Sequence, residues 1–445
     1  MEKLNIKDKN IIVFGLGVTG ISSVKVLNKL NANVYIYDDR DYDDYKQQLE
    51  KLKDYNYKII DKNNINFSDF HLLLKSPGIK NSNEFLMKAR ENNLEIVSDI
   101  ELAYRLWGGE NIIAVTGTNG KTTVTSLITH ILNYAGIKTK YAGNIGVGIL
   151  WEMYNNQDFQ FVVEVSSFQL DATRKFKPKI AIITNITEDH IDWHGSFENY
   201  KNAKYKIFKN LDKNDLLILN RDDRELKHIK SNSRIEYFSL KSETDAFYEN
   251  KKLNYIHNGE VFSIDRESLN LVGDHNVANA LVSILAVKEF NIKKDVIEKA
   301  IKEFKSIEHR IEYVETIDNV KYYNDSKGTN IDSTKVAISG FENDIILIAG
   351  GYDKGSEFDD LFKDVKNIKL LIVYGDTKDK IAKSAEKNNI ETIKVKNLEE
   401  AVNLAHSKQN EVNAVLFSPA CASWDMYKNF EERGNHFKKI VRKLQ

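Results

Sequence analysis

The sequence predicts an α/β protein with mostly parallel sheets, divided into two to three domains. Strand-like apolar runs alternate with helical runs almost throughout. Many of these runs end in glycine-rich or small-residue loops, the place where open α/β sheets bind ligands. The length of 445 residues exceeds one ordinary core, and 42% apolar residues suffices for several.

The elements follow in chain order. Residues 10–14 read as a strand, 19–30 as a helix and 33–37 as the next strand. A later strand at 72–74 runs into Lys75-Ser76-Pro77-Gly78, and a polar stretch near 98–110 marks the first boundary. Beyond it, the apolar run 112–115 leads into Thr116-Gly117-Thr118-Asn119-Gly120-Lys121-Thr122-Thr123 and an amphipathic stretch at 124–132. Residues 161–165, 180–184 and 216–219 read as further strands, and a helix at about 276–290 closes this region. From His309 a new pattern begins, with four strand-to-loop junctions at 322–327, 345–353, 370–376 and 414–422.

Bulk properties narrow the function. A formal net charge of −1 argues against nucleic-acid or anionic-membrane binding driven by bulk charge. One cysteine, Cys421, forms no internal disulfide, so a reducing cytosol fits. Residues 1–10 are charged and polar, unlike a signal peptide, and no apolar run reaches the ~18 residues of a membrane span.

The motif at 116–123 has the layout of a phosphate cradle. Backbone N–H groups at a helix N-terminus face the anion, Lys121 supplies charge, and Thr122 offers a hydroxyl to magnesium. Its spacing is short: the standard P-loop would carry glycine where this chain has Val115. Gly15-Leu16-Gly17-Val18-Thr19-Gly20 opens a helix after the first strand, and Asp38-Asp39 ends the second. That pattern fits a nicotinamide dinucleotide, another diphosphate ligand, or a structural turn. Glu164 in an apolar strand needs a partner or a metal. His190 sits in a polar strand-end cluster suited to metal binding, carboxylate orientation or acid–base work. On a helix over 197–211, Lys204 falls at the centre of the apolar face beside Tyr200 and Phe208. Burial there depresses its pKa or forces it to snorkel. A neutral amine reacts with CO2 to a carbamate, an anionic metal ligand. Lys327 and Lys354 stand on neighbouring strand-end loops, with His309-Arg310 at the start of that region, a set of cations suited to closing on a polyphosphate. Cys421 reads as packing rather than nucleophile.

Together the 116–123 loop, Glu164, Thr187-Glu188-Asp189-His190, residues 276–279, His309-Arg310 and Asp325-Ser326-Lys327 resemble the ATP-dependent Mur ligases of peptidoglycan synthesis. The order matches over essentially the whole chain, and the family's shorter glycine spacing accounts for Val115. The resemblance implies three domains: a Rossmann-like one at 1–98 for a UDP-bearing substrate, a central P-loop-type ATPase domain with a mostly parallel sheet at 99–306, and a Rossmann-like C-terminal domain at 307–445. Residues 15–20 with Asp38-Asp39-Arg40, 75–78, and 418–423 followed by Asn429-Phe430-Glu431-Glu432-Arg433-Gly434 resemble the branch that adds D-glutamate to UDP-N-acetylmuramoyl-L-alanine through an acyl phosphate, in the cytoplasm.

The same resemblance implies the site residues. The UDP substrate falls to Gly15, Gly17, Val18, Thr19, Asp38, Asp39, Arg40, Ser76, Pro77, Gly78 and Asn144. ATP falls to Gly117, Thr118, Asn119, Gly120, Lys121, Thr122 and Thr123, with Asn279, Arg310 and Asp325. Two magnesium ions are expected, one on Thr122 and Glu164, the other on His190 and carbamylated Lys204. Lys121, Glu164, His190, Lys204 and Lys327 are the expected catalytic set. D-Glutamate falls to Thr329, Lys354, Ser423 and Phe430. Trp424 and Tyr352 depart from the family pattern beside the amino-acid site. A monomer is expected, without nucleic-acid partners or membrane insertion. The alternatives are a sister ligase of other amino-acid specificity, a regulatory P-loop switch, folylpolyglutamate synthase, against which the N-terminal unit argues, and a nicotinamide-dependent oxidoreductase, which leaves Lys121 unexplained.

Overall fold

The structure is a computed structural model and describes residues 3–61, 65–144, 147–305, 307–363, 365–409 and 412–444. Three sheets organise them. The first contains β1 (Asn10–Phe14), β2 (Asn33–Tyr37), β3 (Lys58–Ile59), β4 (Leu72–Lys75) and β5 (Ile96–Val97), in the order β3-β2-β1-β4-β5. All neighbours are parallel. The order switches direction at β1, where Phe14 pairs with both Tyr37 and Lys75. The loops after β1, β2 and β4 therefore gather at one crevice, as such sheets require for ligand binding.

The second sheet contains β6 (Ile112–Thr116), β7 (Thr139–Gly143), β8 (Gln160–Glu164), β9 (Ile180–Ile183), β10 (Leu216–Asn220), β11 (Arg234–Ser239), β12 (Ala246–Glu249), β13 (Lys252–His257) and β14 (Glu260–Asp265). Its order is β14-β13-β12-β11-β10-β9-β6-β8-β7, parallel except for the hairpin-linked β12, β13 and β14. β6 is buried along its whole length between β8 and β9, which is why it reads as a continuous apolar run.

The third sheet contains β15 (Glu312–Ile317), β16 (Val320–Asn324), β17 (Ile345–Gly350), β18 (Ile368–Tyr374), β19 (Thr392–Lys394) and β20 (Ala414–Phe417), in the order β15-β16-β20-β17-β18-β19. Only the β15–β16 pair is antiparallel. Met1–Ser268 and Ala278–Lys302 form one compact unit with the first two sheets. Leu269–Val277 and Glu303–Gln445 form the other, with the third. Among the described residues no helix is long and apolar enough to cross a membrane.

The expected α/β class with mostly parallel sheets stands. Two local expectations do not. The supposed polar stretch at 98–110 is the helix Asp99–Trp107, and its charges point inward: Asp99, Glu101 and Arg105 are buried. Arg105 donates to Glu101 at 2.6 Å and twice to Glu95 at 2.8 Å. Glu101 also accepts the backbone N–H groups of Arg174, Lys175 and Phe176. Charges that satisfy one another make a buried helix look polar in sequence. The expected helix at 197–211 is shorter: an α-helix over Phe197–Tyr205 tightens into a 3-10 turn at Lys206–Phe208, where Lys206 reaches the carboxylate and carbonyl of Asp171.

Candidate active site

β6 delivers the chain to Gly117, and the helix Lys121–Tyr134 carries it away. The turn is too tight for side chains at its two glycines. Gly117 has φ +146° and Gly120 +84°; an added Cβ would collide with Thr184 at the first and Asn279 at the second. The segment after β9 straps the loop down. Thr118 N–H donates to Asn185 O at 2.9 Å, Asn119 N–H to Asn185 Oδ1 at 2.9 Å, and Asn185 Nδ2 returns a bond to Asn119 O at 3.0 Å. Lys121 Nζ donates to the Gly117 and Thr118 carbonyls at 2.9 and 2.7 Å. Thr122 and Thr123 are buried in the first helical turn. Asn279, on the helix Asp274–Lys288, faces the same loop at Gly120.

Glu164 ends β8 opposite Val115. It is 2% exposed. Asn144 Nδ2 donates to its Oε1 at 2.9 Å, while its buried Oε2 has no hydrogen-bond partner among the described residues. Asn144, expected to touch the UDP substrate, thus stands on Glu164. An unpartnered carboxylate oxygen buried beside a phosphate loop fits a bound cation. Lys204 is also 2% exposed, and its Nζ donates to Gly117 O at 2.8 Å. The ammonium lies 4.7 Å from the centre of the Tyr200 ring. Burial first, and the charge of Lys121 second, pull its pKa well below the usual lysine value. Tyr200 OH meets Thr118 Oγ1 at 3.0 Å. His190, at φ +52°, has its ring 6.4 Å from Tyr200 and Nε2 3.4 Å from Asp189. Tyr200 therefore links Lys204, His190 and the loop.

Among the described residues no three His, Cys, Asp or Glu side chains cluster as a metal site by themselves. His194 went unmarked in the sequence. Its ring stacks on Phe168 at 5.6 Å, its Nε2 meets Ser167 Oγ at 3.0 Å, and burial holds it toward the neutral form. The four-residue spacing from His190 was the available signal.

The first sheet's crevice is a cavity of about 450 Å³, and Gly15, Gly17, Val18, Thr19, Asp38, Asp39, Arg40, Ser76, Pro77 and Gly78 all line it. Asp38 is fully engaged: it accepts Leu16 N–H at 2.8 Å and a bidentate fork from Arg40 at 2.8 Å per bond. Burial raises its pKa, and Arg40 with the Leu16 amide outweighs that, holding the carboxyl below its usual range. Asp39 accepts from Tyr37 and Asn83. A carboxylate so occupied is poorly placed to take a ribose hydroxyl as dinucleotide sites do.

In the second unit Asp325 follows β16 and is 4% exposed. Ser418 Oγ donates to it at 2.6 Å, and burial pushes its carboxyl up to about 6. Arg310 adds a nearby positive charge, and its buried Nε has no hydrogen-bond partner among the described residues. Lys327 Nζ lies 5.6 Å from the Phe430 ring, and Thr329 N–H donates to Lys327 O. Lys354 Nζ lies 5.1 Å from the ring of exposed Trp424, which touches Tyr352 at 5.6 Å. Tyr352 N–H donates to Ala422 O, joining this loop to the one holding buried Ser423. Cys421 is buried 3.2 Å from Thr377 Oγ1, and burial pushes its thiol up to about 11.

Family models match three successive stretches: a MurD-like Mur ligase N-terminal domain at residues 9–98, a Mur ligase middle domain at 115–287, and a Mur ligase glutamate ligase domain at 309–421. Among curated proteins, the UDP-N-acetylmuramoylalanine–D-glutamate ligase of Thermoanaerobacter pseudethanolicus is 41% identical, covering 99% of this chain and 100% of the relative. The protein of that name from Clostridioides difficile is 37% identical over the same shares. Two solved structures share the fold. The pseudomurein peptide ligase type C of Methanothermus fervidus has a TM-score of 0.61 and 18% identity, and UDP-N-acetylmuramate-alanine ligase MurC of Thermotoga maritima has 0.60 and 21%. Each covers 98% of this chain and 100% of its own. With full-length relatives near 40% identity and a family model on each successive stretch, the chain belongs to the Mur ligase family.

Proposed function

We propose that this protein is an ATP-dependent amide ligase that joins D-glutamate to UDP-N-acetylmuramoyl-L-alanine, releasing ADP and phosphate, in the cytoplasmic stage of peptidoglycan precursor synthesis. The observation that carries the proposal is the likeness to D-glutamate ligases over 99% of the chain. The site supports it. The 15–20 turn holds the UDP diphosphate, with Asp38, Asp39 and Arg40 shaping the crevice. Residues 117–123 hold the ATP phosphates, and Asn279, Arg310 and Asp325 are assigned to its nucleoside. The muramoyl-alanine carboxylate attacks the γ-phosphorus and ADP leaves, giving an acyl phosphate. Lys121 and Lys327 neutralise charge during this transfer, and positioning does most of the rest.

The amine of D-glutamate then attacks the acyl carbon, phosphate departs, and the amine proton passes to a base, for which His190 is the candidate. Thr329, Lys354, Ser423 and Phe430 are assigned to the amino acid. Thr122 and Glu164 would hold one magnesium ion, and His190 with carbamylated Lys204 a second; the orphaned Glu164 oxygen fits the first. Magnesium supplies charge neutralisation on the phosphates when bound. For the carbamate, the neutral amine of Lys204 adds to CO2 and loses a proton. The domain division at 98/99 and 306/307 and a monomeric state complete the proposal.

The test is a phosphate-release screen of UDP-muramoyl substrates against amino acids. Release should need ATP, UDP-N-acetylmuramoyl-L-alanine and D-glutamate together. Equal turnover with L-lysine or D-alanyl-D-alanine would point to a sister ligase. Lys204→Ala should lose activity by about 10³-fold or more, with partial rescue by short carboxylic acids; a fully active mutant would sink its assignment.

A further inference from the structure

Arg433 lies on the final helix, Phe430–Val441, and is completely buried. Its guanidinium makes four hydrogen bonds, divided between two loops. Nε donates to Ser326 Oγ at 3.0 Å and Nη2 to Ser326 O at 2.7 Å. Nη1 donates to Cys421 O and Ala422 O, each at 3.0 Å. Ser326 belongs to the loop after β16 that carries Lys327 and Thr329. Cys421 and Ala422 belong to the loop after β20 that carries Ser423. Ser326 Oγ in turn donates to Phe430 O at 2.8 Å. One rigid fork thus spans every element of the second unit that bears an amino-acid-site residue, except the Lys354 loop. That loop approaches too: a Cβ on Gly351 would stand 3.1 Å from Nη1.

The acceptors are also informative. All four are neutral oxygens, and the guanidinium charge acts at longer range on the nearby carboxyls of Asp325 and Asp425. Three of the acceptors are carbonyls and one is a hydroxyl, and a lysine could not bond both loops with the same planar geometry. One planar guanidinium bonded to both loops holds the residues those loops carry at a fixed separation.

We propose that Arg433 is the positioning residue of the amino-acid site. It sets the separation between the Lys327–Thr329 and Ser423 walls. This rests on the ligase assignment above. The test uses the full-length protein, with phosphate release measured while one substrate is varied at a time. Arg433→Lys keeps the charge and loses the fork. It should raise the D-glutamate KM roughly 10- to 100-fold, while the KM for ATP and for the UDP substrate stay within about 2-fold and kcat at saturating D-glutamate within about 3-fold. Ser326→Ala removes one acceptor and should raise the D-glutamate KM about 3- to 10-fold; it decides the matter if Arg433 variants do not fold. An unchanged D-glutamate KM, or a parallel rise in all three constants, overturns the positioning role while the ligase assignment survives. No D-glutamate-dependent phosphate release by the wild type overturns both.

Discussion

At Asp325 burial and charge oppose each other. Burial lifts its carboxyl to about 6, above the ordinary 3.8, so the fold prefers the protonated form. The stability tied to that form is fully present below pH 4 and is lost as pH rises through 6. Asp325→Asn should therefore melt higher than wild type at pH 8, by up to roughly 3 kcal/mol, and lose that lead as pH falls to 4. The same variant should bind ATP more weakly, so calorimetry and melting ought to move in opposite directions. Lys204 shows how much one residue can disclose. Helical spacing alone put it on an apolar face, and the structure buries it there. Trp424 was visible only as a departure, because an exposed ring's partner depends on the fold. It is the platform beneath Lys354, so Trp424→Leu should raise the D-glutamate KM about 2- to 5-fold without touching the KM for ATP.

Elements were legible where burial is two-sided. β6, β9 and β17 are buried along their whole length and almost entirely apolar, and each ends in a loop the sequence had already marked. The strands β11 to β14, at one end of the second sheet, were not, because they mix exposed Glu249, Lys252 and Glu260 with buried Glu236 and Asn254, which blurs a two-residue period. The helix Asp99–Trp107 was misread for the opposite reason, since its charged residues are core. The phosphate loop is the element most constrained by geometry. Gly120→Ala places a Cβ at positive φ and against Asn279, so nucleotide-induced thermal stabilisation should largely disappear. Retention of a full ATP-dependent shift in that variant would mean the loop relaxes more freely than its packing implies.

Across the first unit, the Glu101 carboxylate joins the helix at 99–107 to the chain at 174–176. Glu101→Ala would leave Arg105 and three backbone N–H groups short of their acceptor. Denaturant unfolding should record a loss of about 3–5 kcal/mol. The crevice after β1 also weighs against a redox role, for Asp38, one of its two aspartates, is already consumed by Arg40 and Leu16; adding NADH should produce no change in NADH fluorescence. What the sequence could not disclose at this scale was that Asp99 and Glu101 turn inward, since that depends on partners 70 or more residues away.

The buried Cys421 has a practical consequence. It is the chain's single cysteine, and burial both shields it and pushes its thiol up to about 11, so the reactive thiolate is scarce at neutral pH. The native protein is therefore almost silent toward maleimides and other thiol reagents. A cysteine engineered on the surface of each unit would take fluorescent dyes cleanly, and energy transfer between them could follow the two units through a catalytic cycle in solution.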